Sequence, residues 1–263
     1  MHRMCSLVAL FAFSVPTVAI CQPPTVPLKL AHAHNDYYHD RPLLDALSQG
    51  FCSVEADVFL RDNKLLVAHS ANEIKPDRTL QKLYLDPLRE RCRKNGGRVF
   101  PEGPVFNLLV DIKSSGPETY ERIHEVLTEY DDILSVVQEN TVTEKAIRVV
   151  ISGNRPESLL ANQKIRYAMI DGRLSDLGSG KPTHLMPLIS DRWTSHFKWR
   201  GTGEITSEER AKLVRLVKQA HTEGRAIRFW ATADTVEMWR ELKAANVDFI
   251  NTDDLSGLNR FLN

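Results

Sequence analysis

The stretch Val105-Phe106-Asn107-Leu108-Leu109-Val110-Asp111-Ile112-Lys113 is mostly apolar at both odd and even positions, then ends on a polar pair two residues apart. Residues two apart on a strand share a face. A strand apolar on both faces is covered on both, as in a parallel sheet flanked by helices. Asp111 and Lys113 therefore point together from one end of a buried strand. The same ending recurs in His32-Ala33-His34, Glu55-Ala56-Asp57, Arg228-Phe229-Trp230 and Asn251-Thr252-Asp253. In a barrel of parallel strands, such pairs at the C-terminal strand ends converge on one mouth.

Working outward, short apolar runs alternate with amphipathic stretches along the chain, without internal repeats. The runs predict eight strands: Leu28–Ala33, Phe51–Leu60, Val105–Lys113, Ala146–Ser152, Ile165–Asp171, Leu185–Ser190, Ala226–Ala231 and Asp248–Asn251. Helices are expected over Arg41–Gln49, Thr79–Lys94, Pro117–Leu134, Pro156–Gln163, Ser207–Glu223 and Thr235–Ala245, with only a Gly-rich loop around Gly178 and Gly180 between the fifth and sixth strands. Lys64-Leu65-Leu66-Val67-Ala68 follows Asp62-Asn63 and reads as the return strand of a hairpin, outside the barrel count. The fold class expected is α/β, a single (β/α)₈ TIM barrel over residues 28–263. An open doubly wound sheet is the structural alternative, but no phosphate-cradling Gly-rich turn follows the first strand.

The 263 residues suffice for one domain with a substantial core. Lys plus Arg and Asp plus Glu balance at 34 each. With no net field and no long run of one charge, nucleic acid is not expected as a partner. The opening MHRMCSLVALFAFSVPTVAICQ has Arg3, an apolar run from Leu7 to Val15 and small residues before Gln22. Residues 1–21 therefore read as a secretory signal peptide, residues 22–27 as a Pro-rich linker, and the protein is expected to be exported. Ile20, larger than the residue that precedes a lipidated cysteine, argues against an anchor at Cys21. Beyond the signal segment only Cys52 and Cys92 remain, either bridged or as buried thiols.

Glu55, Asp57 and Asp111 bring three carboxylates from adjacent strands with no cysteine nearby, a donor set suited to one divalent Mg²⁺ or Ca²⁺. A cation would let all three stay ionised together. Lys113 adds a contact to a bound phosphate, and Arg228, Trp230 and Asn35 complete the expected substrate-binding set. His34 comes from the first strand and His69 from the hairpin, so each can serve as acid or base from its own side. Two imidazoles, a cation and Lys113 together meet the needs of phosphodiester cleavage. His32 shares the parity of His34 one layer deeper and serves either support or catalysis. Trp193, Phe197 and Trp199, with Lys198 and Arg200 among them, form either a hydrophobic cap or a lipid-facing patch in transient contact with a membrane surface.

These residues carry a resemblance. The run from His34 through Ser53-Val54-Glu55-Ala56-Asp57-Val58 to Val67-Ala68-His69, followed by Leu109-Val110-Asp111-Ile112-Lys113, Phe229-Trp230 and Val247-Asp248-Phe249-Ile250-Asn251-Thr252-Asp253, resembles the superfamily of phosphatidylinositol-specific phospholipases C and glycerophosphodiester phosphodiesterases. The resemblance implies a (β/α)₈ barrel, a divalent cation on Glu55, Asp57 and Asp111, acid-base work by His34 and His69, and a small-molecule or lipid phosphodiester substrate. No protein partner is implied. The chain is particularly similar to a branch with a His-x-His-Asn-Asp-Tyr opening that includes a fungal group named for mitochondrial inheritance. The usual His-Arg-Gly and Glu-Asn-Thr of glycerophosphodiesterases is replaced by His34-Asn35-Asp36-Tyr37, and the Asp after the second His by Ser70. The Asp111-Ile112-Lys113 and Trp230 strands are also similar to the sphingomyelinase D branch. Two alternatives stand beside this reading: a metal-dependent hydrolase of the amidohydrolase or PHP type, suggested by His32-x-His34, and a catalytically silent secreted binding protein.

Overall fold

The computed structural model describes residues 25–263. The signal segment, Cys21 and the first linker prolines lie outside the described residues; Thr25 and Val26 are exposed. In chain order the strands are β1 (Leu28–Ala33), β2 (Phe51–Arg61), β3 (Lys64–Val67), β4 (Phe106–Ile112), β5 (Val136–Gln138), β6 (Thr141–Thr143), β7 (Ile147–Gly153), β8 (Ile165–Arg166), β9 (Ala168–Gly172), β10 (Leu188–Arg192), β11 (Ala226–Trp230) and β12 (Phe249–Thr252). The helices are α1 (Leu44–Ser48), α2 (Asp86–Lys94), α3 (Gly116–Thr128), α4 (Glu157–Asn162), α5 (Trp193–His196), α6 (Ser207–Thr222), α7 (Val236–Ala244) and α8 (Leu255–Leu262).

Eight parallel strands run β1-β2-β4-β7-β9-β10-β11-β12, and β12 pairs back with β1 to close the barrel. These are the eight strands expected. β3 lies antiparallel on the outer half of β2, turning through left-handed Asp62 and Asn63. The alternate positions Val54, Ala56, Leu108, Val110, Ile112, Val149, Ile151, Ile227, Phe229 and Ile250 face the surrounding helices in one continuous buried cluster. Leu109, Val150 and Leu188, with Ala226 and Phe249 against them, plug the lumen as a separate small cluster. The barrel is thus a packed core with a solid floor.

The helix starts follow local chemistry. Thr206, Thr235 and Asp254 each accept a backbone N–H of the first turn of α6, α7 and α8. No helix among the described residues is long and apolar enough to cross a membrane.

Several boundaries differ from expectation. α3 stops at Thr128, and residues 136–143 form the hairpin β5–β6 through left-handed Glu139 and Asn140. The fifth barrel strand starts at Ala168, because Ile165–Arg166 instead pairs antiparallel with β5. The sixth begins only at Leu188, since Leu185 and Met186 turn back to hydrogen-bond Pro182. The helix expected from Thr79 enters α2 through a π-type turn at Gln81–Leu85; Pro87, in the first turn of α2, has no N–H to donate backward. As expected, β9 and β10 are joined without an α-helix. Cys52 and Cys92 are both buried free thiols, which burial pushes up to about 12 and about 11.

Candidate active site

Two positions beyond the lumen plug, β4, β7, β10, β11 and β12 carry Asp111, Ser152, Ser190, Arg228 and Asn251 on the same face, and β2 and β9 bring Glu55 and Asp171 alongside Leu109 and Leu188. The inter-strand register sets Asp57 beside Asp111 and Asp111 beside Ser152. A cavity of about 180 Å³ opens here, lined by His34, Asn35, Glu55, His69, Asp111, Lys113, Ser152, Arg173, Ser190, Arg228 and Trp230.

Glu55, Asp57 and Asp111 each offer an oxygen, and the three lie within 4.8 Å of one another. Asp57 Oδ2 is crowded: the Tyr37 hydroxyl donates to it at 2.7 Å, while His69 Nδ1 and Lys113 Nζ stand 3.0 Å away. Its Oδ1 is buried with no hydrogen bond. Lys113 Nζ also lies 3.2 Å from Asp111 Oδ1 but is poorly aligned, so that oxygen too has no hydrogen bond. Glu55 Oε2 accepts from Arg228 Nη2 at 2.5 Å, and Arg228 Nε donates to Asn251 Oδ1.

Charge follows this wiring. Burial would raise the Glu55 carboxyl, but the Arg228 charge and the His32 hydrogen bond hold it well below the usual carboxylate range. Burial pushes Asp111 up to about 6, against Lys113 and with the help of the Asp57 and Glu55 charges. Asp57 is raised by burial and by Glu55. Three carboxylates face two cations, Arg228 and Lys113, and two buried oxygens lack partners. Hard oxygen donors short of one positive charge fit a Mg²⁺- or Ca²⁺-like ion. Gly153, in a left-handed conformation, permits this approach, because a β-carbon there would collide with the Asp111 carboxylate.

His34 Nδ1 lies 2.8 Å from Asp253 Oδ1. Burial alone would lower its pKa, but this bond and the Glu55 charge outweigh burial and raise it. His32 resolves to support: it is 1% exposed, with Nδ1 2.7 Å from Ser53 Oγ and Nε2 3.4 Å from Glu55. Burial and the Arg228 charge lower it to about 3, so it is neutral and braces Glu55 from below. The imidazoles in the cavity wall are His34 and His69. The amidohydrolase alternative needs further histidines at later strand ends, where the wall instead has Ser152, Arg173 and Ser190.

The other expected residues also reach the wall. Asn35 stands in a left-handed conformation with Oδ1 2.7 Å from the Tyr37 oxygen. The face of Trp230 carries Arg192, 5.6 Å from the ring centroid. Trp193, Phe197 and Trp199 form a cap and offer no lipid-facing patch: they are 0%, 2% and 9% exposed and pack on Phe229 and on one another. The rings are buried behind β10 and β11.

Sequence reading missed the far wall. Asp171 Oδ2 accepts from Ser152 Oγ at 2.7 Å, Ser190 Oγ at 2.6 Å and Arg173 Nη1 at 2.8 Å. The available signal was parity, since Ser152, Asp171 and Ser190 end their strands as Asp111 does. It missed Tyr37 because nothing local places a tyrosine from the turn after β1 against a carboxylate of β2.

The barrel has counterparts among solved structures. The chain is similar to a glycerophosphodiester phosphodiesterase of Agrobacterium tumefaciens (TM-score 0.52, 16% identity, 89% of this chain and 99% of that one). It is likewise similar to one from Parabacteroides distasonis (TM-score 0.54, 13% identity, 90% and 98%). An Oleispira antarctica phosphodiesterase solved with the product sn-glycerol-3-phosphate gives a TM-score of 0.53 at 13% identity, covering 88% and 96%. At these identities the likeness shows the fold alone, a closed (β/α)₈ TIM barrel. Residues 24–171 match the AIM6-like phosphodiesterase domain, and the chain belongs to that family. Its relatives include the altered inheritance of mitochondria protein 6 homolog of Arthroderma benhamiae, 30% identical over 88% of this chain and 82% of that protein. The Eremothecium gossypii protein of the same name is 28% identical over 89% and 69%.

Proposed function

We propose that this protein is a metal-dependent phosphodiesterase that cleaves a glycerophosphodiester or a phospholipid head-group phosphodiester by acid-base catalysis with two histidines. One observation carries the reading: of three carboxylates able to share a cation, Glu55 and Asp111 line the cavity that His34 and His69 also line, and Asp57 is buried directly behind them. Glu55, Asp57 and Asp111 would hold Mg²⁺ or Ca²⁺, which when bound supplies positive charge to the non-bridging phosphate oxygens. Lys113 and Arg228 add donors from the same wall, and Asn35 and Trp230 shape the space for the substrate.

His34, whose pKa Asp253 helps to raise, fits the acid that protonates the leaving alkoxide. His69, with Nδ1 turned to Asp57, keeps Nε2 for the cavity and fits the base that deprotonates the nucleophile. One imidazole must be charged and the other neutral, so turnover is expected to be bell-shaped in pH, with limbs belonging to the coupled site. The signal-peptide pattern of residues 1–21 supports export as part of this reading.

The test is a screen of glycerophosphodiesters, phosphatidylinositol, lysophospholipids and a bis-aryl phosphate, with and without Mg²⁺ or Ca²⁺. Ion-dependent release of a phosphomonoester or cyclic phosphate is expected. Failure to turn over any of them with either ion would sink the proposal.

A further inference from the structure

The Asn35-Asp36-Tyr37 run, which departs from the glycerophosphodiesterase opening, has a physical role that the proposed reaction does not by itself require. Asp36 is fully buried and makes no contact with the cavity. Its Oδ2 accepts from the Leu43 backbone N–H and from the Tyr84 hydroxyl at 2.9 Å. Leu43 is held at φ 64°, an uncommon conformation for a branched residue, and it presents that N–H. Asp36 thus pins the short turn after β1 to two separate elements. Arg78 fixes the same turn from a third by donating to the Tyr37 carbonyl.

The turn so fixed drives the Tyr37 ring inward until it is 3% exposed. Its oxygen lies 2.7 Å from Asp57 Oδ2, 2.7 Å from Asn35 Oδ1 and 3.2 Å from His69 Nδ1. A phenol has one proton to give. It goes to the carboxylate, because a hydrogen bond to an ionised acceptor is the stronger one, and the Asn35 amide, whose oxygen and nitrogen are interchangeable by a flip, then turns its NH₂ to the phenolic oxygen as donor. The phenolic oxygen is then an acceptor toward His69, as is Asp57 Oδ2, 3.0 Å from the same Nδ1. Two acceptors facing one ring nitrogen require that nitrogen to carry the hydrogen. The neutral His69 ring is therefore the Nδ1–H tautomer, with its lone pair on Nε2.

We propose that Tyr37 is a positioning residue: anchored by Asp36, it locks His69 in the Nδ1–H tautomer and holds Asp57 rotated so that Oδ1 is left for a cation. The inference rests on the two-histidine reading for its consequence in catalysis, but its geometry stands apart from any reaction. Tyr37→Phe removes one donor from Asp57 and one acceptor from His69 while keeping the ring that fills the space.

The experiment uses the full-length protein with ¹⁵N-labelled histidine, first without divalent ion, at a pH where His69 is neutral. The imidazole nitrogen shifts report the tautomer directly. The unaltered protein is expected to show His69 predominantly as Nδ1–H, and Tyr37→Phe to show a mixture of tautomers with its thermal unfolding still cooperative. Calorimetric titration with Mg²⁺ alone is expected to give an affinity roughly 10- to 100-fold weaker for Tyr37→Phe, as when a group orienting a metal ligand is removed. Replacing Tyr37 with 4-aminophenylalanine restores a donor at the same place and should recover most of that affinity. A dominant Nε2–H tautomer in the unaltered protein, or an unchanged tautomer ratio in folded Tyr37→Phe, overturns the inference. If Tyr37→Phe does not fold, the spectrum of the unaltered protein still decides it. The spectrum needs neither substrate nor ion, so absence of phosphodiester turnover would count against the proposed function alone.

Discussion

Two aspartates face the barrel mouth from opposite walls, and each has one oxygen crowded by three polar groups. Asp57 Oδ2 meets Tyr37, His69 and Lys113; Asp171 Oδ2 meets Ser152, Ser190 and Arg173. Each also has a buried, unpaired Oδ1. The difference lies in their neighbours. Asp171 is matched by one guanidinium and two neutral hydroxyls, so its charge is balanced where it stands. Asp57 shares its space with Glu55 and Asp111, and that wall is short of one cation. The same motif of a tethered aspartate is thus a structural brace on one wall and a candidate cation ligand on the other. The total charge around each aspartate decides which.

The largest expected effect is at Asp57. Asp57→Asn should abolish the Mg²⁺-induced rise in melting temperature and lower phosphodiester turnover by about 10³-fold or more, since it removes a cation ligand and the His69 partner together. If Asp171→Asn lowers both as far, the two walls do not differ in kind. Next comes His69→Asn, expected to fold normally and lose on the order of 10²- to 10⁴-fold in turnover, as for loss of an acid-base group. A folded His69→Asn protein with near-wild-type turnover on its best substrate removes the two-histidine mechanism. His34→Asn should behave in the same way.

On the opposite wall, Asp171→Ala should show mainly in stability. It strands Arg173 and two buried hydroxyls, and about 2–3 kcal/mol should be lost in denaturant unfolding, toward the low side for a broken buried pair because Arg173 is a quarter exposed. A loss well under 1 kcal/mol would mean that the brace contributes little. The smallest effect is at Asp36, whose carboxyl burial raises to about 6 against the Leu43 and Tyr84 hydrogen bonds. The folded state therefore holds this proton more tightly than the unfolded chain. The stability this confers is present in full below pH ~4 and is lost as pH rises through about 6. Asp36→Asn should flatten the stability–pH curve between those limits, by up to on the order of 2 kcal/mol. An unchanged curve would show that Asp36 titrates normally.

Much of the mouth was legible because its signal is local. Glu55 and Asp57, Asp111 and Lys113, and Arg228 and Trp230 were readable as lumen-facing pairs from the period of two. The strand after each apolar run was located in all eight cases. Where a strand began was harder: Ile165 and Arg166 satisfy the same hydrophobic pattern, yet pair with Gln138 and Val137 of β5, a partner too far upstream for local pattern to show. The Trp193, Phe197 and Trp199 cluster was visible as a group, but whether it faced solvent depended on Phe229 of another strand. Sequence put His32 one layer below His34 on the same face, but whether that layer still reached the cavity depended on how the neighbouring strands were staggered.

What the sequence by itself determined is the set of residues that share the inner face: side-chain parity along a strand is a covalent fact, and an apolar run followed by a polar pair leaves one arrangement that buries the first and opens the second. Only the tertiary structure decided which members of that set meet. Closing the barrel fixed the stagger that puts Asp57 level with Asp111 and Asp111 level with Ser152. The turn after β1 carried Tyr37 across to Asp57 through anchors at Leu43 and Tyr84 that no local pattern links. Distances, charge balance and the roles of the two aspartates arise from contacts between segments far apart in the chain, and those form only when the whole core is packed.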